Sequence, residues 1–273
     1  MSSPDSAKPE YVLWSYTPSL AGGVVAAGVM FILFLAHTFR LVKNRTWFCI
    51  PFVIGALFEG IGYSGRAAAH SDTTSKTPYI IQSTLILLAP ILFAASIYMI
   101  LGRLMQRTDS AEYSLIRATW VTKIFVSGDI LCFLIQGGGA GMLVGAKDKD
   151  GVERGENIIL GGLILQIMIF GFFLVVASVW HVRLQRRPTA ASADLPWGKL
   201  IWFLYAASVC IAVRNICRVV EYAMGKEGYL LSNEWPLYLY DFLLMAITLS
   251  VCLSWYNPNI KPGRKNDIEF ARR

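Results

Sequence analysis

Little in this sequence suits it to water. Asp, Glu, Lys and Arg supply only 16% of its 273 residues while 55% are hydrophobic, and the mean hydropathy is +0.50. Such a balance excludes an ordinary soluble domain. Histidine is scarce, with three residues. His37, His70 and His181 stand at the ends of apolar runs, where the expected role is interfacial, and neither a metal centre nor paired haem ligation inside a bundle is implied. The five cysteines (Cys49, Cys132, Cys210, Cys217, Cys252) show no CxxC spacing and none lies in a loop, so no disulfide framework or zinc site is implied. No GxxxxGK[ST] and no GxSxG occurs, and the loops are too short for a nucleotide-binding domain. Direct use of ATP by this chain is thereby disfavoured, and a lipid-modifying enzyme is left without support. There is no Pro/Ser-rich linker or low-complexity tract. The opening MSSPDSAKPE lacks the basic start of a signal peptide, so the first apolar run is expected to be retained.

What the chain does have is seven apolar runs long enough to cross a bilayer, at about 20 residues each. They fall near residues 17–40, 47–69, 79–102, 118–144, 157–181, 199–224 and 235–256. The expected fold is an all-α membrane protein, a bundle of seven transmembrane helices. Its parts are a short extracellular N-terminal segment (1–16), the membrane domain (17–256) and a basic cytoplasmic tail (257–273). Orientation follows from Lys and Arg in short loops: the first, third and fifth loops with the tail hold about 15, the opposite side about 6. The N-terminus is therefore expected outside and the C-terminus in the cytoplasm. The net charge of +7 is spread over these loops and forms no nucleic-acid stripe.

Within these runs stand charges that lipid does not tolerate without reason. Residues at i, i+4 and i+7 share a helix face, so Glu59, Tyr63 and Arg66 line one side of span two, and Arg214, Arg218 and Glu221 one side of span six. Asp129 and Gln136 share a face of span four; span five adds Gln166 and span seven Asp241. At 1.5 Å per residue, Glu59 and Asp129 lie roughly 18 Å from the cytoplasmic ends of their spans and Arg214 roughly 22 Å. The polar groups thus concentrate at the midplane and in the outer half. Arg66, Arg214 and Arg218 can nearly neutralise Glu59, Asp129, Glu221 and Asp241, with one acid left over. Two readings follow: a network that only fixes helix register, or the lining of a pocket that accepts a polar headgroup.

Other features have plainer readings. Gly137, Gly141 and Gly145 recur every fourth residue in span four, a spacing that permits close helix approach. Tyr16, Trp47, Trp235, Tyr238, Trp255 and Tyr256 stand at span ends as interfacial anchors. Pro90 in span three bends or curves its helix. The Asn44-Arg45-Thr46 glycosylation acceptor falls in a tight cytoplasmic loop and is expected to be unmodified.

EGIGYSGR (Glu59 to Arg66), LLAPILFAASIYMILGR (Leu87 to Arg103), SGDILCFLIQGGGAG (Ser127 to Gly141), GGLILQ (Gly161 to Gln166), VRNICRVVEY (Val213 to Tyr222) and EWPLYLYDFLLM (Glu234 to Met245) follow in this order. Together they resemble the fungal RTA1-like family, also described as lipid-translocating exporters. The resemblance implies seven spans, an outside N-terminus, and association with export of sphingoid long-chain bases, resistance to toxic amphiphiles and, in one branch, porphyrin or haem traffic. It also favours a fungal plasma membrane.

The preferred functional reading is an ATP-independent translocator of lipids or amphiphiles, with no cofactor, no metal and no catalytic residue. Glu59, Asp129, Glu221 or Asp241 would receive an ammonium. Arg66, Arg214 and Arg218 would hold those acids ionised or bind phosphate, and Tyr63, Gln136 and Gln166 would add neutral hydrogen bonds. The partners are membrane lipids or amphiphilic small molecules. The competing reading is a seven-helix sensor or receptor for a lipid or sterol-like ligand.

Overall fold

A computed structural model describes residues 16–71, 76–145, 148–193, 195–224 and 233–256. The N-terminal segment before Tyr16 and the basic tail, 257–273, lie outside the described residues. Seven helices are long and apolar enough to span a membrane: α1 (Leu20–Asn44), α2 (Ile50–Ala69), α3 (Lys76–Arg107), α4 (Ala118–Gly145), α5 (Lys149–Arg186), α6 (Trp197–Ala223) and the composite α7 over 235–255. Among the described residues every regular element is helical.

Helix ends follow local chemistry. The Ser19 hydroxyl accepts from Gly22 N at 3.2 Å and starts α1, and Arg45, at φ 50°, closes it in the left-handed region. Helix α5 runs well past the apolar stretch 157–181. Asp148 caps it by accepting from Gly151 N at 3.0 Å, and its charged first turns and its last turn, Arg183 to Arg186, continue the helix beyond the hydrocarbon. Its 38 residues amount to about 57 Å, nearly twice an apolar core of about 30 Å.

Neighbouring helices pack in chain order, α1 on α2 through α6 on α7, and α7 returns to α1. Helix α3 leans inward against α6 and is the most enclosed span, with 72% of its apolar window buried against 28% in α1 and α4. The α3 and α6 contact separates a compartment walled by α1, α2 and α7 from one walled by α4 and α5. The outward surface is apolar, with Ile32, Leu134, Met168, Trp202 and Val209 more than half exposed, whereas fully buried positions include Glu59 and Asp241. Apolar outside and charged inside is the arrangement of a protein whose solvent is lipid. The protein is an integral membrane protein.

Three expectations need correction. The glycines that let helices approach are not Gly137, Gly141 and Gly145, which face open space. A Cβ at Gly139 would stand 2.8 Å from Gly155 O, and α4 and α5 meet there. Trp255 and Tyr256 are buried, not interfacial: the Trp255 indole donates to Leu200 O at 3.3 Å. His37 is buried too, with Nδ1 2.7 Å from the Tyr256 hydroxyl and Nε2 3.0 Å from Leu249 O. The apolar stripe of α1 hid a histidine that ties α1 to the end of α7.

Candidate functional site

Helix α7 departs from α geometry where its acid sits. After the turn Trp235–Leu237 it becomes a π-helix over Tyr238–Leu243, then returns to α over Leu244–Cys252 and closes with a tight turn Leu253–Trp255. The π segment carries Tyr238, Tyr240, Asp241 and Phe242. Such insertions occur mostly at functional sites, because the extra residue turns side chains out of the regular register.

Asp241 is wholly buried and lies between two arginines one turn apart on α6. Its Oδ1 accepts from Arg214 Nε at 2.8 Å, and its Oδ2 is 2.5 Å from Arg218 Nη2. Arg218 also reaches Glu221 Oε2 at 3.1 Å, and that oxygen accepts from the Tyr240 hydroxyl at 2.7 Å. Arg214 Nη2 donates to the Ile86 carbonyl of α3 at 3.3 Å. Two cations thus meet two acids in a largely buried core, where such pairing must be nearly complete to offset the cost of desolvation.

Arg66, three residues beyond Tyr63 on α2, joins a separate cluster nearer the N-terminal end of the bundle. It pairs with Glu234 at 2.8 Å, and its Nε donates to the Tyr238 hydroxyl and its Nη2 to the Tyr16 hydroxyl, at 3.2 and 3.0 Å. Glu234 also accepts from Tyr238 at 3.1 Å and from Ser19 N at 2.8 Å. Glu234 was not among the sequence candidates. The same i, i+4, i+7 spacing links Glu234, Tyr238 and Asp241, so the signal was present but lay at the edge of span seven.

Glu59 has no exposed surface and no hydrogen-bond partner on either carboxyl oxygen; the Tyr63 hydroxyl, one turn on, has none either. The charges acting on Glu59 are Asp241, Arg214 and Arg218, yet it forms no ion pair among the described residues. Glycines bring α2 and α3 close together: a Cβ at Gly62 would meet Ile86 Cγ1 at 2.7 Å and one at Gly55 would meet Phe93 at 2.5 Å. Aromatic layers lie on either side. Tyr63 stacks on Tyr238 at 6.4 Å and meets the edge of Phe242 at 5.7 Å. About 10 Å the other way along α2, Phe52 packs on Phe93, Trp255 and His37.

The remaining candidates do not join this core. Asp129 accepts from Tyr98 at 2.9 Å and leaves Oδ1 without a partner, and Gln136 donates to Gln166 at 2.9 Å. Both pairs belong to the compartment of α3, α4 and α5, because α3 stands between α2 and α4. An apolar groove of about 330 Å³ lined by Ile124, Phe125, Gly128, Met168, Ile169 and Phe172 lies between α4 and α5. Among the described residues no group of His, Cys, Asp and Glu could hold a metal ion.

Fold and core together define a seven-helix integral membrane protein with a charge-bearing interior. Residues 52–263 match the family described as RTA1 like protein, and the chain belongs to that RTA1-like family. It is 33% identical to Protoporphyrin uptake protein 1 of Saccharomyces cerevisiae, over 92% of this chain and 94% of that one. It is 31% identical to Protein RTA1 of the same organism, over 90% and 84%, and 25% identical to its Sphingoid long-chain base transporter RSB1, over 93% and 75%. No solved structure matches the chain.

Proposed function

We propose that the protein translocates cationic amphiphiles, sphingoid long-chain bases above all, between the leaflets of the fungal plasma membrane without ATP. The N-terminus faces outward in this reading. One observation carries it: Arg66, Arg214 and Arg218 each face a carboxylate, whereas Glu59 is buried beside them with no cation of its own. An anionic headgroup would meet arginines already engaged; an ammonium would meet an acid that lacks a partner. The tail stays in lipid or between helices while the headgroup passes through the polar core, which lowers the cost of crossing the hydrocarbon. The names of the relatives support amphiphile movement as the common theme, a sphingoid base in one and a porphyrin in another.

The test is leaflet exchange in liposomes holding only the purified protein. A fluorescent sphingoid base is expected to reach the protected leaflet faster than in empty liposomes, and a labelled phospholipid and protoporphyrin are expected not to. Saturable binding without movement would replace translocation by a receptor role, and faster movement of protoporphyrin alone would reverse the charge preference.

A further inference from the structure

Glu59 brings together three unused acceptors: both of its carboxyl oxygens and the Tyr63 hydroxyl. A primary ammonium offers three N–H donors and a guanidinium five. The groups facing Glu59 from the packed helices are few. Helix α6 presents Arg214 and Arg218, α7 presents Asp241, and α2 adds Tyr63; α1 and α3 pack on the neighbouring Gly60 and Gly62 through the apolar Phe31 and Ile86. Both arginines are held by Asp241, and Arg218 by Glu221 as well. An ionised Glu59 would therefore bear the desolvation cost of a buried carboxylate with no hydrogen bond or ion pair of its own.

We propose that Glu59 is the proton-carrying site of a cation/proton exchange. When the site opens to one side and the cationic headgroup enters, the O–H bond of Glu59 breaks, its proton leaves to water on that side, and the carboxylate pairs with the cation. When the site opens to the other side, the cation departs and Glu59 takes a proton from water there. Each cation moved is matched by a proton moved the opposite way, and no net charge crosses. The aromatic layers on either side of Glu59 keep the site from opening both ways at once. This rests on the translocation reading above and adds its energy source, a pH gradient.

The experiment uses a fluorescent alkylguanidinium, which stays charged at every pH used and so cannot cross as a free base. Proteoliposomes with a lumenal pH dye and clamped membrane potential receive the probe outside. Lumenal pH is expected to rise as the probe enters, an outward-acid pH gradient is expected to slow entry, and Glu59→Gln is expected to lose the proton signal. Entry of the probe without a change in lumenal pH would overturn the exchange and leave translocation standing. Failure of the probe to enter at all, where a sphingoid base also fails, would overturn both. The wild-type proton signal decides the matter even if Glu59→Gln does not fold.

Discussion

Replacing Asp241 by Ala leaves the buried Arg214 without its acid and the partly buried Arg218 with Glu221 alone. Asp241 has no exposed surface, Arg214 is 1% exposed, and the ion pairs that Asp241 makes with Arg214 and Arg218 are 2.8 Å and 2.5 Å long. Removing one partner of a buried pair costs roughly 3–5 kcal/mol, and for a chain of this size each kcal/mol lowers Tm by about 2–4 °C. The expected fall is therefore roughly 6–20 °C, with Asp241→Asn at the lower end because an amide oxygen still accepts. Glu59→Gln, in the same core, breaks no ion pair and is expected to hold or raise Tm. Thermal unfolding in detergent, followed with a dye that reacts as the buried thiols Cys49, Cys132 and Cys252 become exposed, measures all three variants. Equal Tm for wild type and Asp241→Ala, or an equal loss for Glu59→Gln and Asp241→Ala, would refute this assignment of charges.

Three further outcomes follow from packing and capping. Gly139→Ala is expected to cost about 1–3 kcal/mol by forcing α4 from α5, while Gly137→Ala, with open space at its Cβ, is expected to be neutral or slightly stabilising; the same thermal assay separates them. Tyr256→Phe takes away the hydroxyl 2.7 Å from His37 Nδ1 and is expected to cost about 1–3 kcal/mol, the penalty for an unsatisfied buried group, read as a lower Tm. Asn44 Nδ2 donates to Tyr256 O at 2.6 Å, so protein from a fungal host is expected to show no mass change on endoglycosidase treatment at this site. A glycan there would also reverse the orientation.

Hydropathy was enough to locate the seven spans, because a run of about 20 apolar residues has few other uses. Helical spacing alone placed Glu59, Tyr63 and Arg66 on a single buried face, and the structure buries all three. The pairing of charges was beyond it. Arg66 pairs with Glu234 and not with an acid deeper in the bundle, and Asp129 pairs with Tyr98, because the order of helices around the bundle decides which faces meet. Periodicity within one span carries no such information. The π segment of α7 escaped for a related reason: a single extra residue in a turn does not alter an average over a span. The glycines of α4 showed the limit of spacing rules, since Gly128 and Gly139, outside the every-fourth series, are the ones that meet α5.

The central claim is that a cationic headgroup enters between α2, α6 and α7, beside Glu59. A photoactivatable sphingoid base with the reactive group next to its amine, crosslinked in proteoliposomes and mapped by peptide mass spectrometry, tests this most directly. Labelling on peptides containing Glu59 to Tyr63, Arg214 to Arg218 or Tyr238 to Phe242, competed away by excess unlabelled base, is the expected result. Labelling confined to the α4 and α5 groove around Gly128 and Met168 would contradict it.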